Sequence, residues 1–377
     1  MDDLGRILAA SENLIAGKKR AALATLAHVT GASFRKVGSR LLVDEDGNTV
    51  GGVSAGCLED DVVKKAMSVA STGKSLVACY DTGSEREILF GWGTGCSGLM
   101  TILIEPLSFA DGQPAFTRFL QERRRDRFPA PVATVIEAPA DCGLAIGEHF
   151  YADDWGGEAE RPECGTDVVR QVRQDLLILS PGACVIRDYT PVTGAPARIL
   201  LESVLPPPAL MLFGAGPAAV PLALFAQETG WNVSVHDRRP GILAGNAFAD
   251  GTAVCCASYD GLGDRYGFDA HSAAVVMTHS FLDDVQIIKQ LLQSPVRIVS
   301  VLSSRGRADK LFAELRREAP TLTEDQLARV HAPAGLEIGA NSPSQIALSI
   351  MAEIQKEFMG GSGRALMSLH AHGEYAA

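Results

Sequence analysis

Residues 210–225 read LMLFGAGPAAVPLALF, and this stretch decides the fold of the C-terminal half. An apolar run typical of a buried strand leads into Gly214 and Gly216, and Ala219 follows at a third small position. In a dinucleotide-binding fold the first glycine makes a tight turn, the second lets a phosphate approach the backbone, and the third small residue lets helix and strand pack. The stretch therefore predicts the first strand, turn and helix of a Rossmann-like parallel sheet.

Asp237 follows Gly214 by about 20 residues, at the predicted end of the second strand, where such folds carry a ribose-binding acid. Pro217 removes an amide donor near the phosphate position, and Pro221 falls where an interior helical bond is needed, so the helix is expected to begin late or to bend. Two arginines follow Asp237, and their positive charge indicates a phosphate, instead of a ribose diol, as an alternative ligand. The alternative is a Rossmann scaffold whose glycines only make the turn.

Strands and helices alternate through the rest of this half, and such sheets bind ligands at the carboxyl ends of their strands. Ser303 and Arg305 follow a predicted strand at 296–302, and a hydroxyl with an arginine at a helix start suits a phosphate. Ordinary helix capping is the alternative. The triple proline 206–208 predicts the domain boundary, which gives an N-terminal domain over 1–205, a Rossmann-like domain over 206–358 and a flexible tail over 359–377.

Composition excludes several classes of function. The net charge is −11 and aromatic residues make up 6% of the 377, so neither a basic stripe nor a base-stacking platform is expected, and nucleic-acid or anionic-membrane partners are not predicted. The eight cysteines form no CxxC pair and no zinc spacing. The acidic start is not that of a signal peptide, so a cytoplasmic location with mostly reduced cysteines is predicted.

The sequence of the N-terminal half predicts an α/β domain with a mixed sheet. Two of its cysteines differ from the others in their surroundings. Cys57 in SAGCLED and Cys96 in GTGCSG each lie in a glycine-rich turn, beside Gly56 and Gly95. Cys57 is also near a predicted helix start, which favours the thiolate, although the acids at 59–61 oppose this. A small buried residue in a tight turn is the competing interpretation.

The motifs of both halves resemble those of the XdhC/CoxF family, which is related to CoxI. The N-terminal motifs are GASFRKVGSRLLVDEDGNTVGGVSAGCLEDDV, residues 31–62, and GWGTGCSGLMTILIEPL, residues 91–107. LMLFGAGPAA, VHDRRP, VVMTHSFLDD, VLSSRGRADKL and HAPAGLEIGANSPSQIALSIMAEI are similar to successive blocks of the family's Rossmann domain. The resemblance covers most of residues 20–355.

The resemblance implies a maturation factor for xanthine or carbon monoxide dehydrogenases rather than a stand-alone enzyme. Such a protein binds the molybdenum (molybdopterin) cofactor, holds it while a cysteine desulfurase supplies sulfur, and delivers it to a molybdenum hydroxylase. Arg35, Glu59, Cys57 and Cys96 match the motifs of the family, so the resemblance implies that they bind the cofactor. It also implies Cys57 or Cys96 as a transient molybdenum contact. It also implies a homodimer.

Two other functions compete with a maturation role. The glycine loop with Asp237 favours an NAD(P)-dependent oxidoreductase, whereas Pro217 and the lack of an obvious hydride-transfer acid disfavour it. Xanthine dehydrogenase itself is excluded, because the chain is short and lacks the cysteine runs that bind iron–sulfur clusters.

Overall fold

The computed structural model describes residues 3–31, 33–54, 56, 58–81, 98–110, 112–152, 163–190 and 195–368. The chain forms two compact units, Asp3–Pro206 and a second that begins at Pro207. The domain boundaries predicted from the sequence, at residues 205/206 and 358/359, stay a prediction. Within the described residues, no helix combines the length and apolar character needed to cross a bilayer.

A five-stranded antiparallel sheet forms the first part of the N-terminal unit, with strand order β3-β2-β1-β5-β4. Its strands are β1 Arg20–Gly31, β2 Arg40–Asp44, β3 Thr49–Gly51, β4 Leu76–Asp81 and β5 Gly98–Ser108, and its helices are α1 Asp3–Gly17 and α2 Glu59–Thr72. Helix α2 packs on this sheet because Val62, Ala66 and Val69 recur at helical spacing and make one apolar face. DEDG, residues 44–47, separates two apolar runs and predicts a hairpin, which is present as β2 and β3.

A four-stranded antiparallel sheet, of order β7-β6-β9-β8, completes this unit. Its strands are β6 Ala130–Glu137, β7 His149–Tyr151, β8 Cys184–Tyr189 and β9 Ala197–Val204, and the helices are α3 Ala115–Arg125, α4 Glu163–Leu177 and a 3-10 turn at Ala140–Cys142. The apolar run at residues 144–146 predicts a strand, and this prediction is wrong. Gly147 has a φ of 84° there and its amide donates to Val135, so the chain turns before β7 begins.

A six-stranded parallel sheet with order β12-β11-β10-β13-β14-β15 forms the centre of the C-terminal unit, which confirms the predicted α/β class with a Rossmann-like parallel sheet. The described strand pairs of the N-terminal unit are all antiparallel and do not form the mixed sheet predicted there. Numbered within this unit, the order is the 3-2-1-4-5-6 arrangement of Rossmann folds. The strands are β10 Ala209–Phe213, β11 Asn232–His236, β12 Ala253–Cys255, β13 Ser272–Val276, β14 Ile298–Val301 and β15 Val330–His331. The helices are α5 Ala219–Glu228, α6 Pro240–Ala244, α7 Leu262–Arg265, α8 Phe281–Leu292, α9 Arg305–Glu318, α10 Glu324–Ala328 and α11 Pro343–Met359, with a 3-10 turn at Leu366–Ser368.

The strand–turn–helix predicted at residues 210–225 is present. β10 pairs in parallel with β11, and Phe213 lies opposite His236, so Asp237 follows directly at the tip of the adjacent strand. Helix α5 begins only at Ala219, two residues after Pro217, which confirms the late start. Its buried Ala219, Leu222 and Ala226 pack on one face of the sheet.

A buried ion pair joins the two sheets of the N-terminal unit. Arg40 of β2 donates from Nη2 to Oε2 of Glu202 on β9, at 2.7 Å, and its Nη1 donates to the carbonyl oxygen of Gly38 at 3.0 Å. Both side chains are almost fully buried, at 6% and 4% exposed. Removing one partner of such a pair leaves a charge in a medium that cannot solvate it.

We expect Glu202→Ala to lower the free energy of unfolding by about 3–5 kcal/mol in urea titrations, because Arg40 stays buried without its counter-charge. The matched control is Asp188→Ala, which removes one of two acidic partners of Arg198 from a pair about half exposed on each side, where a loss below about 1 kcal/mol is expected. Equal losses in the two variants would contradict the role given to burial.

Candidate functional site

In the N-terminal unit, Arg35 and Glu59 converge on Gly52. A Cβ placed on Gly52 would lie 3.2 Å from Arg35 Nη2 and 3.7 Å from Glu59 Oε1, so a larger residue would crowd both groups. Arg35 Nη1 donates to Asp3 Oδ2 at 2.8 Å. Its Nε atom is buried and has no hydrogen-bond partner among the described residues. An unpaired guanidinium N–H at this place is a donor that lacks an acceptor.

Glu59 bonds to the segment that precedes helix α2. We call its described residues, 52–54, 56, 58 and 59, the Glu59 loop. Oε1 of Glu59 accepts from the amide of Ser54 at 2.9 Å, and its Oε2 accepts from the Ser54 hydroxyl. The Ser54 hydroxyl oxygen accepts in turn from the amides of Gly56 and Leu58. Ser54 is not among the predicted site residues, although it stands five residues before an acid at a predicted helix start.

Two opposing effects set the pKa of Glu59. Burial raises it, but the hydrogen bonds that Glu59 accepts from Ser54 and neighbouring amides outweigh burial and hold the pKa below its usual value. Glu59 is therefore ionised at neutral pH. Its charge is used to hold the loop, and it also lies at the positive end of the helix dipole, which favours an anion there.

Gly56 is the most open point of the Glu59 loop. It has a φ of 105°, and no described atom lies within 4 Å of the place where its Cβ would stand. A ligand can approach the backbone at such a position. Cys57 is the next residue in the sequence, but it lies outside the described residues, as do Gly95 and Cys96. Their predicted common cleft stays a prediction.

In the C-terminal unit, the candidate site is the edge of the sheet where strand order reverses between β10 and β13. We call it the Rossmann crevice, formed by residues 214–219, 237, 239, 278–280 and 303. Gly214 has a φ of 104°, and a Cβ there would lie 2.5 Å from the carbonyl oxygen of Met277. At Gly216 a Cβ would instead lie 2.9 Å from Nε2 of His279, an exposed side chain on a residue with a φ of 64°.

Asp237 lies in the Rossmann crevice as predicted, but its carboxylate is occupied by the protein itself. Oδ2 accepts from the amide of Ala215 at 2.9 Å and from Arg239 Nη2 at 2.7 Å. Oδ1 accepts from the amide and Nε of Arg239, at 3.0 and 2.8 Å. Burial raises the pKa of Asp237, but the hydrogen bonds from Arg239 and Ala215 outweigh it and keep the pKa below its usual value.

The two residues predicted after β14 differ in their surroundings. Ser303 Oγ is buried and has no hydrogen-bond partner among the described residues, whereas Arg305 is exposed at the start of α9. Nearby, Asp284 accepts from the Thr278 hydroxyl at 2.5 Å and from Arg307 Nη2 at 2.6 Å. Their roles in binding a cofactor stay predictions.

A cavity of about 350 Å³ in the N-terminal unit was not predicted. The imidazole of His149 enters it, donating or accepting at Nδ1 with the Thr134 hydroxyl and pairing through Nε2 with Glu105 at 2.8 Å. Phe116 stacks on the imidazole with ring centroids 4.1 Å apart. Among the described residues, no group of three or more His, Cys, Asp and Glu side chains is arranged to hold a metal ion.

Two protein-family models match the chain. The one described as the XdhC and CoxI family matches residues 14–81, and the one described as the XdhC Rossmann domain matches residues 210–354. The chain belongs to the XdhC and CoxI family. The first match contains the Glu59 loop and the second contains the Rossmann crevice, so both candidate sites lie in the segments by which the XdhC family is defined.

XdhC-like proteins and a solved structure extend the comparison. A Bacillus subtilis protein described as a probable subunit of xanthine dehydrogenase is 28% identical over 90% of this chain and 94% of its own length. The Escherichia coli molybdenum cofactor insertion chaperone PaoD is 28% identical over 33% of this chain and 38% of its own. A crystal structure described as a xanthine dehydrogenase from Bacillus halodurans is 24% identical, with a TM-score of 0.71 over 98% of both chains, and it supports the fold.

Proposed function

We propose that this chain is a maturation factor that binds the molybdenum (molybdopterin) cofactor. In this proposal it assists sulfuration of the cofactor and its insertion into a molybdenum hydroxylase of the xanthine dehydrogenase type. Membership of the XdhC and CoxI family and the similarity to a cofactor insertion chaperone support the proposal. The structural observation that carries it is the unpaired, buried Nε of Arg35 beside an open glycine loop.

The residues of the Glu59 loop fit such a cofactor. A molybdopterin is a flat, polar molecule that ends in a phosphate or a nucleotide, and a guanidinium with a donor to spare suits that anionic end. Gly56 leaves the backbone open to a ring or a phosphate, and the uncapped start of α2 adds amide donors. The carboxylate of Glu59 is bonded within the loop, so it shapes the site rather than competing for Arg35.

When bound, the cofactor supplies a molybdenum centre with a dithiolene ligand, whose soft chemistry suits thiolate neighbours. In this proposal Arg35 binds the anionic end of the cofactor, and Ser54 and Glu59 stabilise the conformation of the Glu59 loop. Cys57 or Cys96 contacts the molybdenum transiently. The proposed partners are a cysteine desulfurase, the hydroxylase and a second copy of this chain. The proposed location is the cytoplasm.

The experiment is to express the chain in a host that makes the cofactor and to measure the fluorescence of the oxidised pterin that the purified protein retains. We expect Arg35→Gln to lower retention about tenfold, the loss of one charge-assisted contact, while the loss of its partly exposed pair with Asp3 lowers the melting temperature only slightly. Arg20→Gln is the control, since it removes an exposed arginine paired with Glu45. Wild-type protein that retains no pterin and does not activate a co-expressed hydroxylase would contradict the proposal.

A further inference from the structure

The acid of the Rossmann crevice has no hydrogen-bonding capacity left for a ribose. An ionised carboxylate offers about four acceptor sites, and Asp237 uses two on each oxygen, with Ala215 and Arg239 as the donors. Its side chain is fully buried. A ribose diol that bound here as in NAD-binding folds would have to displace the fork of Arg239, which is the stronger, charge-assisted partner.

Asp237 instead sets the direction of Arg239. Nε and Nη2 of the guanidinium face the carboxylate, which leaves Nη1 without a partner among the described residues, and the side chain is 42% exposed. The amide of Ala215, in the phosphate-binding turn, is bonded to the same carboxylate. Arg239 is thereby fixed to the turn where dinucleotide folds hold a ribose and its phosphates.

The opposite side of the Rossmann crevice also carries donors. His279 lies against Gly216, and the Ser303 hydroxyl at the carboxyl end of β14 is buried and unpaired among the residues that the structure describes. Arg238 donates from Nε to Oδ2 of Asp283 on α8, at 2.9 Å, and so is not held by the carboxylate that fixes Arg239 to the glycine turn. The free donors of the crevice are therefore suited to an anion, and Arg239 is the arginine oriented for it.

We propose that the Rossmann crevice binds a phosphate ester in the place of a ribose diol, with Arg239 contacting the phosphate and Asp237 acting as its positioning residue. This assignment changes the predicted role of Asp237 from a ligand of the sugar to a support for the arginine. Two molecules bring the same chemistry, the 2′-phosphate of NADPH and the terminal phosphate of a pterin cofactor. The second source rests on the proposed function, whereas the first does not.

The test compares Arg239→Gln with Arg238→Gln, two neighbouring variants that lose the same charge. In the first arm, NADPH and NADH are titrated by fluorescence, and these probes differ by one phosphate. We expect wild-type protein and Arg238→Gln to bind NADPH about tenfold more tightly than NADH, and Arg239→Gln to lose that preference. In the second arm, retained pterin is measured in the same variants and is expected to fall only in Arg239→Gln.

A loss in the first arm identifies a nucleotide coenzyme as the source of the phosphate, and a loss in the second identifies the pterin. If Arg239→Gln does not fold, Arg239→Lys replaces it in the test. Lysine keeps the charge but cannot make the bidentate contact with Asp237, so we expect a partial loss of the NADPH preference or of the retained pterin. If Arg239 and Arg238 variants behave alike in both arms, the inference is overturned. Wild-type protein that still retains pterin and activates the hydroxylase would then leave the proposed function standing.

Discussion

Gly214→Ala is expected to unfold or severely destabilise the Rossmann unit, with a loss above about 4 kcal/mol in the free energy of unfolding. The φ of 104° is unfavourable for any residue with a side chain. In addition, the new methyl group would lie 2.5 Å from the carbonyl oxygen of Met277 and 2.9 Å from the Cα of Thr278, both backbone atoms of the neighbouring segment. Strand β13 would have to move away from β10 to admit it.

Gly216→Ala provides the matched comparison two residues further on. Its added methyl group meets the imidazole of His279, the end of an exposed side chain that can swing aside, so a loss below about 1 kcal/mol is expected. Thermal unfolding of both variants measures the difference, and soluble yield of Gly214→Ala gives a second readout. Similar melting temperatures for the two would show that the approach of β10 and β13 does not require a glycine at 214.

The Rossmann unit could be predicted from the sequence because its signals are local. One strand, one turn and one helix within 16 residues specify the parallel crossover, and the acid after the next strand lies within a single βαβ unit. The late start of α5 also followed from a residue inside the motif, Pro217. In each case the decisive contact joins residues that are close in the chain.

The N-terminal unit could be predicted only in part, because its strands pair over long distances. β1 pairs with β5, and β6 pairs with β9, so dozens of residues separate the partner strands. No local sequence pattern indicates which strands pair. The ion pair of Arg40 and Glu202 spans 162 positions. The apolar letters of residues 144–146 resembled a strand, but a glycine turn and the pairing of β7 decide the structure there.

The candidate sites show the same limit on a smaller scale. Spacing identified Asp237 but not the fact that Arg239, two residues later, folds back onto its carboxylate. Arg35 and Glu59 were identified by their motifs, whereas their meeting at Gly52 depends on how β3 leads into α2. Sequence spacing places a side chain at an edge or a helix start, and only packing decides which hydrogen bonds it has left for a ligand.

Cys57→Ser and Cys96→Ser are each expected to lower retained pterin by about tenfold while leaving the melting temperature nearly unchanged. Serine is close to cysteine in size but replaces a soft thiolate by a hard hydroxyl, so it removes affinity for a molybdenum centre and little else. Cys79→Ser is the control, since Cys79 is an exposed residue of β4. If the cysteines only fill space, burial of an unpartnered hydroxyl lowers stability instead, and binding per folded molecule does not change.

Combining Cys57→Ser with Arg35→Gln asks whether the thiol and the guanidinium serve one site. Residues that hold a ligand through one connected network are coupled, so in that case the double variant should retain about as much pterin as the weaker single variant rather than the product of both losses. Strict additivity would mean that Arg35 and Cys57 act independently of each other. Because Gly56 leaves open backbone beside Cys57, and Arg35 and Glu59 meet at Gly52 in the same loop region, we expect coupling between them. The same cycle with Cys96→Ser measures whether the glycine-rich segment around Cys96 contributes to binding that ligand as well.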